Sequence, residues 1–140
     1  MKQLVKYKLP LLVFVFIAFL FSACSSDSSD LDKNAKAFIE VVDANGERVP
    51  NQTVQVFNEK DYERFSKDNT LLPTDYCHTG ANGKVIYEIE TSRWFKTGES
   101  TQITFVVQFG AGESNYSIWS VGKTFRPGKD QQILIKLARP

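Results

Sequence analysis

Thr101-Gln102-Ile103-Thr104-Phe105-Val106-Val107-Gln108-Phe109 places Ile103, Phe105, Val107 and Phe109 on one side and Gln102, Thr104 and Gln108 on the other. Successive side chains of an extended strand point to opposite faces, so this alternation predicts a strand with one buried and one wet face. The run 84–90 follows the same rule, with Val85, Tyr87 and Ile89 opposed to Lys84, Ile86, Glu88 and Glu90. Further runs at 38–42, 49–57, 76–79, 116–121 and 131–137 bring the expectation to about seven strands, the last with Ile133, Ile135 and Leu137 inward. Pro50 near the start of its run suits an edge or a strand beginning, where a missing N–H is tolerated. Asp43-Ala44-Asn45-Gly46, Gly80-Ala81-Asn82-Gly83 and Arg126-Pro127-Gly128-Lys129 supply turns. No stretch sustains a helical period for three turns, although 61–65 allows a single helical turn inside the polar connection 58–75. At 18 residues that connection exceeds ordinary loop lengths. The expected fold is all-β: a seven-stranded antiparallel sandwich of the Ig-like kind, because strands with one wet face need a second sheet to cover the other.

Two segments carry a family resemblance. Ile39-Glu40-Val41-Val42-Asp43-Ala44-Asn45-Gly46-Glu47-Arg48-Val49-Pro50-Asn51-Gln52-Thr53-Val54-Gln55-Val56 resembles the opening, and Thr79-Gly80-Ala81-Asn82-Gly83-Lys84-Val85-Ile86-Tyr87 the hairpin, of transthyretin-like sandwich domains. These are related to the carboxypeptidase regulatory domain and the pilin B-type repeats. Gly80 stands where the family has Asp, and Val49-Pro50 replaces Pro-Val. The resemblance covers about half the domain and implies a non-catalytic spacer, adhesive unit or accessory domain.

The N-terminus has the three parts of a secretory signal: Lys2, Lys6 and Lys8, then the apolar run 9–21, then Ser22-Ala23-Cys24. An apolar run of 13 residues is shorter than the roughly 20 that a bilayer-spanning helix needs. Leu20-Phe21-Ser22-Ala23-Cys24 resembles the lipobox of bacterial lipoproteins, in which the Cys thiol takes a diacylglyceryl group and becomes the new N-terminus. The expected organisation is a signal peptide over 1–23, a flexible Ser/Asp-rich tether over 24–36 and a β-sandwich over 37–140. The tether's 13 residues reach about 20 Å as a soft chain. Its Ser and Asp residues resemble the export tags of Bacteroidetes surface lipoproteins, and Ser25 differs from the Asp of inner-membrane retention signals. Lipidation at Cys24 and an outer-membrane location are therefore expected, with the periplasmic and cell-surface faces both open.

Removal of the signal takes away three lysines and turns 17 basic against 16 acidic groups into 14 against 16. Such a balance gives no basic footprint for nucleic acid. One His and two Cys are too few for a multi-ligand zinc site, and acylation of Cys24 would leave Cys77 without an intrachain disulfide partner. Cys77 and His78 are neighbours on a strand and point to opposite faces, so they cannot act as a nucleophile and its base. Glu88 and Glu90 lie about 7 Å apart on one face, a spacing open to acid–base work but equally that of any solvated strand. Asp43, Asn45 and Glu47 place oxygens at alternate positions in a turn, without the full loop that calcium requires. No enzyme activity, cofactor or metal is expected.

Aromatic residues leave more room. Trp94 and Phe95 fall in the connection 91–100, Trp119 lies on a strand with two partly apolar faces, and Tyr62 sits in the long connection. Together these four are candidate ligand-binding residues, since aromatic rings stack on sugars or anchor protein partners; burial in the core is the other reading, since sandwiches commonly bury a Trp and loop aromatics fold back as lids. The expected function is a lipid-anchored module that binds an envelope protein as an accessory of an outer-membrane complex. Glycan binding through exposed aromatics is the alternative.

Overall fold

The run 101–109 is realised as a nine-residue strand, but its centre is buried on both faces, Thr104 and Val106 along with Ile103, Phe105 and Val107, while Phe109 is exposed, which corrects the expected alternation of one buried and one wet face. The computed structural model describes residues 33–96 and 99–138, so Cys24 and the expected signal peptide lie outside the described residues. The strands are β1 (Ala35–Asp43), β2 (Thr53–Asn58), β3 (Asp75–His78), β4 (Lys84–Ile89), β5 (Thr101–Phe109), β6 (Ser117–Phe125) and β7 (Gln131–Leu137). Two helices interrupt them: α1 (Glu59–Lys67) after β2 and α2 (Thr91–Trp94) after β4. The strand β1 begins at Ala35, two residues before the expected domain start, and Ala35 is fully buried opposite Ile89.

The strands form two sheets, a three-stranded sheet A in the order β4-β1-β7 and a four-stranded sheet B in the order β3-β2-β5-β6. Sheet B is antiparallel throughout, but sheet A is mixed: β1 pairs antiparallel with β4 and parallel with β7, from Ala37 opposite Gln131 to Asp43 opposite Leu137. The expectation of seven antiparallel strands is corrected at this pair. Side chains alternate with period two in either direction, so the burial pattern of β7 is the same for a parallel as for an antiparallel neighbour.

Between the sheets lie Ala35, Ala37, Ile39 and Val41 from β1, Ile133 and Ile135 from β7, and Tyr87 and Ile89 from β4. Val54, Val56, Ile103, Phe105, Val107 and Phe125 meet them from sheet B. Sheet B has a second layer. Phe57 and Val106 point outward from it, and α1 covers them with Phe65 and the partly buried Tyr62. The helix forms because Asn58 caps it, its side chain accepting from the Asp61 amide at 2.7 Å, with Glu59 and Asp61 in the first turn and Arg64 and Lys67 in the last. It is therefore a nine-residue helix, where sequence reading expected a single turn at 61–65.

The two segments that carry the family resemblance meet in space. Gly83 has φ +71, and a Cβ there would stand 2.6 Å from the Cβ of Arg48, so both the turn and the close approach require glycine. The buried Thr79 ties the same region down: its hydroxyl donates to the Val49 carbonyl at 2.8 Å and accepts from the Gln52 amide at 2.8 Å.

Candidate interaction surface

On the outer side of sheet B, α1 covers Phe57, Val106 and Ile118, while the outer face of sheet A carries side chains that no described residue buries. From β1 it presents Lys36, Phe38 and Glu40; from β4, Lys84, Ile86 and Glu88; from β7, Gln132, Leu134 and Lys136. Phe38, Ile86 and Leu134 are 39%, 61% and 56% exposed. Register brings them together, since Phe38 lies directly opposite Ile86, and Leu134 stands beside Glu40, one rung diagonal to Phe38. A shallow groove of about 480 Å³ runs along Phe38 and Ile86 between Lys84 and Gln132. Leu72, Tyr76, Phe109 and Tyr116 are also exposed, but they lie on a loop, on the edge strand β3 and around the β5–β6 hairpin. The patch on sheet A differs from them in setting two exposed apolar side chains, Phe38 and Ile86, directly opposite each other on paired strands, whereas Tyr76 faces Gln55 and Phe109 faces Ser117.

Charges frame it in an ordered way. Lys36 stands opposite Glu88 and Glu40 opposite Lys84, one pair on each side of the Phe38–Ile86 rung. The glutamates have other partners: Glu40 accepts from Arg48 at 3.1 Å and Glu88 from Asn34 at 2.9 Å. Lys36 and Lys84 form no salt bridge among the described residues.

A second polar cluster braces the sandwich where β3 meets β4. The Tyr87 hydroxyl donates to Asp75 Oδ2 at 2.7 Å, Arg93 donates to the same oxygen at 2.9 Å, and the Tyr76 amide donates to Asp75 Oδ1 at 2.8 Å. Burial opposes the charge on Asp75, but the Tyr87 and Tyr76 hydrogen bonds and the Arg93 guanidinium outweigh it and hold the carboxyl below its usual range. Burial, then the bond to Asp75, raises Tyr87 above the ordinary tyrosine range. Arg93 also stacks over Trp94 at 5.6 Å and donates to the Thr74 carbonyl at 3.2 Å. It lines an open cleft of about 580 Å³ beside α1, where Glu59, Lys60, Glu63, Lys96 and Glu99 mix both signs of charge.

No protein-family model and no curated protein matches this chain.

The geometry therefore carries the functional argument, and it redistributes the residues singled out from the sequence. Trp94 and Phe95 are only 8% and 7% exposed and belong to the core between the sheets, because α2 turns their connection inward. Trp119 packs against the same core from β6, makes an edge contact with Phe109 at 5.9 Å and donates to the Ala138 carbonyl at 2.9 Å. Tyr62 lies on the opposite side of sheet B, against Phe57 and Phe65, its hydroxyl donating to Ser120 at 3.2 Å. These four aromatics do not share an exposed platform, which corrects the expected binding surface. The apolar side of β6 that needed a partner is Ile118, which packs beneath α1.

Cys77 packs against the core while His78 is exposed, its Nδ1 3.1 Å from the Thr53 hydroxyl. Burial, and secondarily the charge of Asp75, pushes the Cys77 thiol up to about 12, so it stays protonated and poorly nucleophilic. Asp43 Oδ1 accepts from the amides of Asn45 and Glu47 at 2.9 Å each, so the carboxylate shapes its own turn. Glu90 begins α2 while Glu88 is held by Asn34. Cys24, the expected lipidation residue, lies outside the described residues. Phe38, Ile86 and Leu134 were missed because each is one apolar residue among polar neighbours; the signal was Ile86, an apolar residue on a face otherwise made of Lys84, Glu88 and Glu90.

Proposed function

We propose that this protein is a non-catalytic interaction module of the bacterial outer membrane. A lipid on Cys24 holds it there, and it docks an envelope protein on the outer face of sheet A. The observation that carries this reading is the exposed Phe38–Ile86–Leu134 patch on a rigid, charge-framed sheet. Exposed apolar patches on a regular scaffold are costly to keep in water and mark contact surfaces. The transthyretin-like reading of the sandwich agrees with this role, since the Val49–Gln52 segment and the Gly80–Gly83 turn pack together through Thr79 and Gly83 as structural elements. Two acyl chains would anchor the domain far more durably than one.

The test is co-purification from detergent-solubilised outer membranes. Wild-type protein is expected to bring down a stoichiometric companion, and Ile86→Lys to lose it while keeping the β-rich circular dichroism spectrum. Recovery of the wild-type protein with neither a different protein nor a second copy of itself, or a companion indifferent to Ile86→Lys, would overturn the reading.

A further inference from the structure

We infer that the partner seated on sheet A is a second copy of this chain, paired face to face about a two-fold axis lying in the plane of the interface. This inference deepens the reading above and rests on it for the choice of face.

Its basis is the arrangement of charge on β4 and β1. Three successive rungs read Glu88–Lys36, Ile86–Phe38 and Lys84–Glu40. The two charged rungs are opposite in polarity and flank an apolar one. A face with that pattern is complementary to itself. With the axis parallel to the strands and between β4 and β1, Lys36 of one copy meets Glu88 of the other, Lys84 meets Glu40, and Phe38 meets Ile86. With the axis across the strands, along the Phe38–Ile86 rung, Lys36 meets Glu40, Lys84 meets Glu88, and each apolar residue meets its own counterpart. Either arrangement brings every charge of these rungs against an opposite one, and isologous two-fold contacts demand such self-complementarity.

Partner needs point the same way. Lys36 and Lys84 form no salt bridge among the described residues, whereas Glu40 and Glu88 are each steadied by a neighbour on their own chain. The second copy therefore supplies preoriented carboxylates to the two lysines. Three strands spaced about 4.8 Å apart give a small contact, well under the roughly 800 Å² per partner of a standard stable complex. The pairing is accordingly weak and reversible.

The experiment uses the full chain in neutral detergent, with ordinary and ¹⁵N-labelled chains mixed in equal amounts and treated with a zero-length carbodiimide. Light-to-heavy cross-links are expected from Lys36 and Lys84 to Glu40 and Glu88. Lys36–Glu88 with Lys84–Glu40 reports the axis along the strands, and Lys36–Glu40 with Lys84–Glu88 the axis across them. Sedimentation equilibrium in density-matched detergent gives the second readout. The acidic double variant Lys36→Glu/Lys84→Glu and the basic double variant Glu40→Lys/Glu88→Lys are each expected to associate at least about tenfold more weakly than wild type. A one-to-one mixture of the two is expected to regain association. Absence of light-to-heavy cross-links on this face, or a mixture no more associated than its components, would overturn the inference. If that happens while Ile86→Lys still releases a different protein from the membrane complex, self-pairing falls and the interaction reading stands. If Ile86→Lys changes neither experiment, both fall.

Discussion

Thr79 is a small residue with a large structural share. Its hydroxyl bridges the Val49 carbonyl and the Gln52 amide, and its own amide and carbonyl bond Gln52 and Asn51, all in a site where it is 2% exposed. Thr79→Val keeps the shape and deletes the hydroxyl, leaving a buried donor and a buried acceptor unmatched. A loss of about 2 kcal/mol in urea unfolding is expected, and a loss below about 0.5 kcal/mol would show that the loop reorganises around it. Tyr87 and Asp75 make a prediction with a pH dependence. Tyr87→Phe removes a hydrogen bond to a carboxylate that is partly exposed, so the expected cost near neutrality is about 1 kcal/mol. Asp75 has a folded pKa below its unfolded value near 3.8, so its contribution is full above that value and disappears as pH falls through the lowered one. Tyr87 has a folded pKa above its unfolded value near 10, so its contribution is full below 10 and disappears as pH rises through the raised one. The stability gap between wild type and Tyr87→Phe is thus expected to be widest between about pH 4 and 10 and to close on both sides. A gap that persists unchanged at pH 2 would mean that the pair does not act through the Asp75 charge.

At the scale of elements, α1 tests what covers sheet B. Phe65 is its one fully buried residue and touches Phe57 with ring centroids 4.6 Å apart. Phe65→Ala is expected to cost about 3 kcal/mol by opening a cavity over Phe57 and Val106, read as a shifted urea midpoint with an unchanged slope. At the cap, Asn58→Ala is expected to cost about 1 kcal/mol and Asn58→Gly only a few tenths, because glycine tolerates the cap backbone and leaves the first amides open to water. Equal losses from both would mean that the cap bond is not what holds the helix start. The helix also shows where sequence reading thinned out. Its cap and end charges were present in the chain, but its apolar stripe is only Tyr62 and Phe65, too few positions to register as a helical period. All seven strands were legible as short alternating or apolar runs between turn residues. The β1–β7 pairing was not, since direction is a property of two strands and alternation belongs to one. Whether Trp94 and Phe95 belong to the core or to a binding loop stays open in the sequence for a related reason: α2 is four residues long, below the length at which periodicity can show that a loop turns inward.

For the whole molecule, the question is where the folded unit begins. Lys33 and Asn34 precede the first strand, yet they are knitted into three separate parts of the chain. The Lys33 carbonyl accepts from the Thr91 hydroxyl at 2.7 Å and the Gly128 amide at 2.9 Å. Asn34 accepts from the Thr91 amide at 3.0 Å and donates to Glu88 at 2.9 Å, while the Lys36 amide donates to Asp130 at 2.9 Å. Ala35 then fills the rung opposite Ile89. A chain beginning at Lys33 is expected to keep all of these contacts. One beginning at Ala37, where alternation alone would start the domain, is expected to lose about 3 kcal/mol, the sum of several partly exposed hydrogen bonds and one buried rung. Equal midpoints for the two truncations would show that these contacts contribute nothing to stability. The same contacts bear on the proposed tether, because a load applied at Lys33 enters β1, the middle strand of sheet A. That strand is hydrogen-bonded on both sides, to β4 and to β7, so the load is shared across the sheet whose outer face is the proposed docking surface.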